Sequence, residues 1–434
     1  NVRHDGSSRF AKGYRWGTFP SFSAGWVMSE EKFMKNLNWD WLSFLKLRGS
    51  WGMLGNERIG DNYFPYIALM SFGNSLFYMA DGSVVSDKTA RPAVLAVEDI
   101  TWETTTSTDI GLDANFFNNR LQFHFDYYWK QTKDMLLNIE IPYFMGYNNP
   151  STNAGKMSTH GYDIELAWND RIGDFKYGVN VNFSDFLSKI DYMNDGEQIS
   201  GGKIKRAGVL FNEYYGYVCD GIYQTQEEVN NSARTSTTVT VGDLKYRDIS
   251  GPDGVPDGII SPEYDRVPLG NSLPRFQYGG TFNASYKGID FSIAFQGIGK
   301  QNSYLSTAMV QPLRDNFGNV PSILEGNYWS PFNTAEENLS AKYPRLSNVS
   351  KSNNYATSSF WMFNGSYFRL KNLTLGYTLP ETWTQKAGIN RVRFYVSGSD
   401  LFCLSNFPDG WDPEMNYKAY PITTSLVMGL QVNF

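Results

Sequence analysis

Leu121-Gln122-Phe123-His124-Phe125-Asp126-Tyr127-Tyr128-Trp129-Lys130 alternates from end to end. Leu121, Phe123, Phe125, Tyr127 and Trp129 fall on one face of an extended chain, and Gln122, His124, Asp126, Tyr128 and Lys130 on the other. A repeat of two is the period of a β-strand, here with one apolar and one wet side. The pattern returns many times. Ile110, Leu112, Ala114 and Phe116 alternate with Asp109, Gly111, Asp113 and Asn115; Tyr162, Ile164, Leu166 and Trp168 alternate with Asp163, Glu165 and Ala167. Tyr177, Val179, Val181 and Phe183 alternate with Lys176, Gly178, Asn180 and Asn182, and the rows Ile289, Phe291, Ile293, Phe295 and Val392, Phe394, Val396 repeat the theme.

A soluble sandwich also has one wet face, so alternation alone leaves two architectures open. Two features favour an all-β, transmembrane antiparallel β-barrel. Many apolar rows begin or end on Tyr or Trp, the girdle arrangement of a membrane interface. Connections also alternate between short turns (Phe117-Asn118-Asn119-Arg120, Tyr286-Lys287-Gly288) and much longer excursions, as barrels do between periplasm and exterior. The pattern predicts about 12 strands, near 17–28, 43–54, 62–71, 101–116, 121–137, 155–168, 175–188, 274–286, 289–299, 360–378, 391–402 and 423–434. The 360–378 strand shifts phase, which predicts a bulge. Long extracellular loops are expected near 188–273 and 300–358, and their aromatic density predicts packed rather than disordered loops.

Composition narrows the function. The chain has 38 basic and 44 acidic residues, a net charge of −6 and no basic excess, which excludes nucleic acid as partner. No run approaches the ~20 apolar residues of a membrane helix. A mean hydropathy of −0.41 is compatible with a barrel, where only every second residue meets lipid. Cys219 and Cys403 have no local reason to pair, and His4, His124 and His160 lack metal-ligand spacing; His124 reads as a solvated residue of the polar face.

At the far end, Leu426, Met428, Leu430, Val432 and Phe434 alternate with Ser425, Val427, Gly429, Gln431 and Asn433. The form Gly-x-x-apolar-x-Phe, carried by Gly429, Val432 and Phe434, resembles the assembly signal of bacterial outer-membrane barrels. Asn1-Val2-Arg3-His4 has no signal-peptide character and reads as the inside of a longer protein. Residues 1–434 are therefore expected to be the C-terminal portion of a barrel.

Little points to catalysis: there is no Gly-x-Ser-x-Gly elbow, no His-Glu-x-x-His and no phosphate-binding glycine loop, so no enzyme is expected. The acidic loop 248–258 has two readings. Asp248, Asp253, the Val255 carbonyl, Asp257 and a later Asp265 suit an oxygen cage for Ca²⁺. Alternatively the Asp-Gly and Pro-Asp pairs simply make turns. Tyr214, Tyr215, Tyr217 and Trp329 are candidate ligand contacts in the loops, because flat rings stack on sugar faces or grip peptide side chains; equally, they pack the loops.

Several runs carry a family resemblance. They include Gly13-Tyr14-Arg15-Trp16-Gly17-Thr18-Phe19-Pro20 and Leu45-Lys46-Leu47-Arg48-Gly49-Ser50-Trp51-Gly52. Tyr215-Gly216-Tyr217, Asp220-Gly221-Ile222-Tyr223-Gln224, Gly242-Asp243-Leu244-Lys245-Tyr246-Arg247-Asp248 and Leu269-Gly270-Asn271 follow in order. Pro274-Arg275-Phe276-Gln277-Tyr278-Gly279, the run from Tyr367 to Tyr377 and the closing Phe434 complete the set. Together they closely resemble SusC-type (SusC/RagA family) TonB-linked outer-membrane transporters of the Bacteroidetes. The resemblance implies a barrel of roughly 22 strands, of which about 12 lie here, with plug and N-terminal strands absent. It implies a nutrient importer in the outer membrane, surrounded by outer-membrane lipid. A SusD-like surface lipoprotein would cap it, and TonB would drive it through the absent plug. Most relatives carry oligosaccharides, and some, of RagA type, carry peptides; no cofactor is implied. A passive porin or adhesin barrel and a soluble β-sandwich are the rivals. The extra Pro252 departs from the family's tighter acidic-loop spacing, which weakens a metal carry-over.

Overall fold

The computed structural model describes residues 1–58, 63–139, 141–194, 196–305, 310–312, 319–415 and 420–434. Twelve strands form one antiparallel sheet in chain order. They are β1 Val2–Gly6, β2 Trp16–Val27, β3 Leu42–Asn56, β4 Glu103–Phe116, β5 Leu121–Asn138, β6 Ser151–Ile172, β7 Phe175–Met193, β8 Arg275–Tyr286, β9 Ile289–Lys300, β10 Tyr367–Thr378, β11 Arg391–Ser405 and β12 Ser425–Asn433. Each wall strand pairs with the next wall strand along the chain, the meander of an up-and-down barrel wall.

Register turns the alternation of each strand into two continuous faces. On one, Leu47 lies opposite Leu112, Leu112 opposite Phe125, Phe125 opposite Ile164, and Ile164 opposite Phe183. On the other, a row runs Asp113, His124, Glu165, Asn182, Gly279, Gln296, Arg369 across seven strands. A slip of one residue in any pair would carry polar groups to the apolar face, so hydrophobicity fixes the register. The apolar face is open: Phe22 is 66% exposed, Ile110 53% and Met428 84%. No helix of the described residues is long and apolar enough to cross a membrane; the strands cross instead. Against lipid this apolar band is stable, whereas in water it would aggregate.

Aromatics gather at both rims of the band. At the short-turn end Trp39 stacks on Trp41 (5.3 Å), Trp41 on Phe116 (5.7 Å), and Phe117 tilts against Trp168 (6.2 Å). At the other end Tyr127 meets Trp129 (5.9 Å) and Tyr162 meets Phe183 (6.0 Å). The short end is built from tight hairpins. Lys287 and Gly288 both have positive φ (44° and 88°), the two-residue turn whose twist suits paired strands.

Two expectations need correction. The segment 62–71 is not a wall strand. Residue 62 lies outside the described residues, and from Leu69 the chain forms a separate hairpin, Leu69–Tyr78 paired with Val84–Val94, in the 57–102 connection. The twelfth wall strand is instead β1, which pairs Val2 with Pro20 and Gly6 with Trp16. Likewise, only Tyr367–Thr378 of the expected 360–378 strand lies in the wall. Met362–Asn364 pairs with Asn302–Tyr304 among the loops. The expected bulge is present: the register of β10 shifts at Lys371 against both β9 and β11.

Candidate functional site

The polar face of the wall forms a groove of about 1010 Å³. The side chains of His124, Asp126, Asp163, Glu165, Asn180, Asn182, Ser184, Gln277, Gln296 and Lys371 line it together with Tyr367. Every one lies on a strand, so backbone hydrogen bonds fix its height and spacing. Next to the groove, Arg48 sits among three carboxylates. It contacts Asp126 at 2.5 Å, Asp113 at 3.2 Å and Asp109 at 3.6 Å, and His124 Nδ1 lies 2.9 Å from Asp113. One guanidinium against three carboxylates leaves this part of the wall negative. Alternating donors and acceptors suit a hydroxyl-rich or amide-rich ligand; nothing in the set pairs a nucleophile with a base for catalysis.

Over the long-connection end stands a module built from both inserts. Its backbone includes the sheet Glu197–Ser200, Lys203–Arg206, Glu213–Tyr217, Arg266–Asn271 and the hairpin Cys219–Ile222/Leu244–Tyr246. Tyr217, Leu244, Tyr246 and Ile260 form one core, Leu305, Val310, Tyr355 and Trp361 another, and Phe360 packs against both. A buried polar network ties the inserts together. Asp243 is 0% exposed; its carboxylate accepts from Arg345 Nε (2.7 Å), Ser350 Oγ (2.7 Å), Asn354 Nδ2 (2.9 Å) and the Thr240 N–H (2.9 Å). Asn353 donates to the Leu244 carbonyl (2.9 Å), and the Tyr246 hydroxyl donates to the Asn353 carbonyl (2.6 Å). With its donors and acceptors paired, such a network fixes one arrangement of the loops. Gly216 runs against the Thr357 backbone with no room for a Cβ, so the inserts meet backbone to backbone. Burial pushes the Tyr246 phenol well above its ordinary range and the Cys219 thiol up to about 11, so this thiol is inert. Cys219 and Cys403 are both free.

The four candidate ring contacts lie within this module. Tyr215 and Tyr217 are buried, with Tyr217 stacked on Tyr246 at 5.0 Å. Tyr214 packs on Tyr304 (5.9 Å) beneath Lys203, and Trp329 lies over Gly242 with its indole N–H donating to Gln224 (3.3 Å). None of the four lines the groove. In the acidic loop, Asp265 accepts backbone N–H groups of Ile249 (2.7 Å) and Ser261 (2.7 Å), Asp257 that of Ile259 (2.9 Å), and Asp248 that of Gly258 (2.6 Å). Among the described residues no three His, Cys, Asp or Glu side chains converge as metal ligands. The carboxylates of Asp248, Asp257 and Asp265 thus order turns of this loop, as the second reading of the acidic run expects. In the last strand, Gly429 lies under the Tyr395 ring, Val432 pairs with Val392 on the apolar face, and Phe434 is exposed just past the ladder. Sequence reasoning missed Arg48 and Arg369 as inner-wall hubs, although each stands on the polar side of an alternating run.

An antiparallel meander with an open apolar face, aromatic rims, a polar concave wall and packed long loops is the wall of a transmembrane β-barrel. The chain belongs to the TonB dependent receptor-like β-barrel family, which matches residues 1–397. Proteins of this family are outer-membrane proteins and transporters rather than enzymes. The chain is 31% identical to TonB-dependent receptor P3 of Formosa agariphila over 469 aligned positions, covering 100% of this chain and 43% of that protein. It is 29% identical to TonB-dependent receptor SusC of Bacteroides thetaiotaomicron, covering 100% and 42%. Among solved structures, the RagAB peptide transporter superposes with a TM-score of 0.79 at 24% identity, over 100% of this chain and 45% of that one. The chain thus spans less than half the length of the relatives it matches.

Proposed function

We propose that this chain is the C-terminal barrel portion of an importer that takes up oligosaccharides together with a SusD-like surface lipoprotein, energised through TonB. The observation that carries the substrate reading is the groove. Its Asn, Gln, Asp and Glu side chains surround the Tyr367 ring on a rigid wall. Planar amides and carboxylates pair with sugar hydroxyls, and rings offer flat apolar surface. The two-insert module supports the partner reading, because its fixed core offers a preformed surface on the side of the long connections. The test uses the full-length protein, tagged at the exposed turn by Gly82 and isolated from detergent-solubilised outer membranes. Mass spectrometry then identifies the lipoprotein and any bound ligand. Bound oligosaccharide with a lipoprotein is the expected result. Bound peptide replaces the substrate class, and a transporter without any lipoprotein refutes the lidded mechanism.

A further inference from the structure

The connection between β11 and β12 turns back onto the inner wall. Arg369, the last member of the inner row, is 3% exposed because this segment covers it. Its Nε donates to Glu414 (2.6 Å) and its terminal nitrogen to Asp412 (2.5 Å). Gln296, a groove residue opposite Arg369 in register, donates to the second oxygen of Glu414 (3.3 Å). The preceding residues are held in another way. Phe407 meets Phe363 edge-on at 6.2 Å, and Phe407 and Trp411 pack on the module core around Leu305, Tyr355 and Trp361. Residues 406–415 therefore run from the loop module to the groove, anchored by rings at one end and by charge at the other.

The two anchors differ in how they let go. Apolar packing loses its whole hydrophobic gain when parted in water. An ion pair parted so that both members rehydrate loses little, since hydration replaces the lost attraction. The end at Arg369 is thus the releasable one, and the end at Trp411 follows the module. We propose that 406–415 is a strap that covers the groove while Asp412 and Glu414 hold Arg369. A displacement of the loop module draws the strap off, so that module position sets access to the groove. The proposal rests on the importer reading for its purpose, but its test needs neither cargo nor lipoprotein, so the two fail separately.

The test uses the full-length protein in detergent, with Cys219 and Cys403 replaced by serine and a reporter thiol at Ala294→Cys, the next inward position of β9 below Gln296. Arg369→Gln is expected to raise amide hydrogen exchange over 409–415 by about tenfold or more. Maleimide labelling of the reporter speeds up in step, while exchange in β9 and β10 is unchanged. The charge reversal Arg369→Glu with Glu414→Arg and Asp412→Asn, which leaves no carboxylate facing the reversed position, restores slow exchange and slow labelling, which a merely damaged wall would not do. Unchanged exchange in Arg369→Gln overturns the latch. Faster exchange without faster labelling overturns the cover, and failure of the reversal to restore protection overturns its ionic nature.

Discussion

Val181 is a direct probe of which face meets lipid. It lies on the apolar side of β7, between Leu166 of β6 and Gly280 of β8. From Phe175 at the short-turn rim to Val181 is six residues. At about 3.3 Å per residue and a tilt near 40°, that places Val181 about 15 Å above the rim, close to the middle of a band about 25 Å tall. An arginine there costs about 2–4 kcal/mol, a roughly 30- to 700-fold loss in the folding equilibrium. Its neighbour Asn182 points into the groove beside Glu165, so Asn182→Arg meets water and a carboxylate and costs little. The assay is folding of the full-length protein into lipid vesicles across a urea series, read by the heat-modifiable mobility of the folded barrel. Val181→Arg is expected to shift the midpoint strongly and Asn182→Arg hardly at all. Equal midpoints, or the reverse order, would refute the assignment of faces and with it the membrane reading.

Other expectations concern the loops. Asp243→Ala removes an acceptor from Arg345, Ser350, Asn354 and the Thr240 N–H. It should destabilise the module by about 3–5 kcal/mol, seen as fast protease cutting within 197–273 while the barrel keeps its folded mobility. Gly216→Ala drives a methyl into the Thr357 backbone and should cost about 1–3 kcal/mol, read by the same digestion. The Tyr246 phenol, raised by burial, favours its neutral form more in the folded module than in the unfolded chain. Its contribution is complete below the ordinary tyrosine value of about 10 and disappears as pH rises through the elevated one. The module should therefore loosen in alkali, with tyrosinate absorbance and protease sensitivity rising together; Tyr246→Phe, which cannot ionise, should delay the transition.

How much of this was written in the sequence depends on what each segment had to match. The Leu121–Lys130 run has to present one face to lipid along its length, and its alternation transferred intact into the register with β4 and β6. The phase slip near Lys371 marked the bulge for the same reason. Val2–Gly6 escaped notice because Arg3, His4 and Asp5 give it no apolar row. The 62–71 segment misled because Tyr63, Phe64, Tyr66 and Ile67 have strand-like composition, while periodicity is silent on which partner a strand chooses; Leu69–Tyr78 pairs with its own neighbour Val84–Val94. The inner row was visible as polarity, but its hubs were not. Arg369 finds Asp412 and Glu414 across an entire hairpin, and no local pattern links them. The loop aromatics were rightly expected to pack; which of two inserts they packed against had no signature in either.

The bulge in β10 carries a lesson about how such a wall can change. Lys371 has no register partner in either ladder; where the register with β11 shifts, β11 carries Asp400, with a positive φ of 51°, and an ion pair of 2.7 Å joins Lys371 to Asp400. Lys371 lines the groove, and the register sets the adjacent Asn372 beside Ala294 on the same inner face. Substitution can only exchange one inward group for another, because every second position is committed to lipid. An inserted residue escapes that arithmetic: it adds a charge to the interior while Leu370 above and Leu373 below keep their places in the oily band. Insertions rather than replacements are then the cheap route by which a barrel of this kind acquires a new interior group.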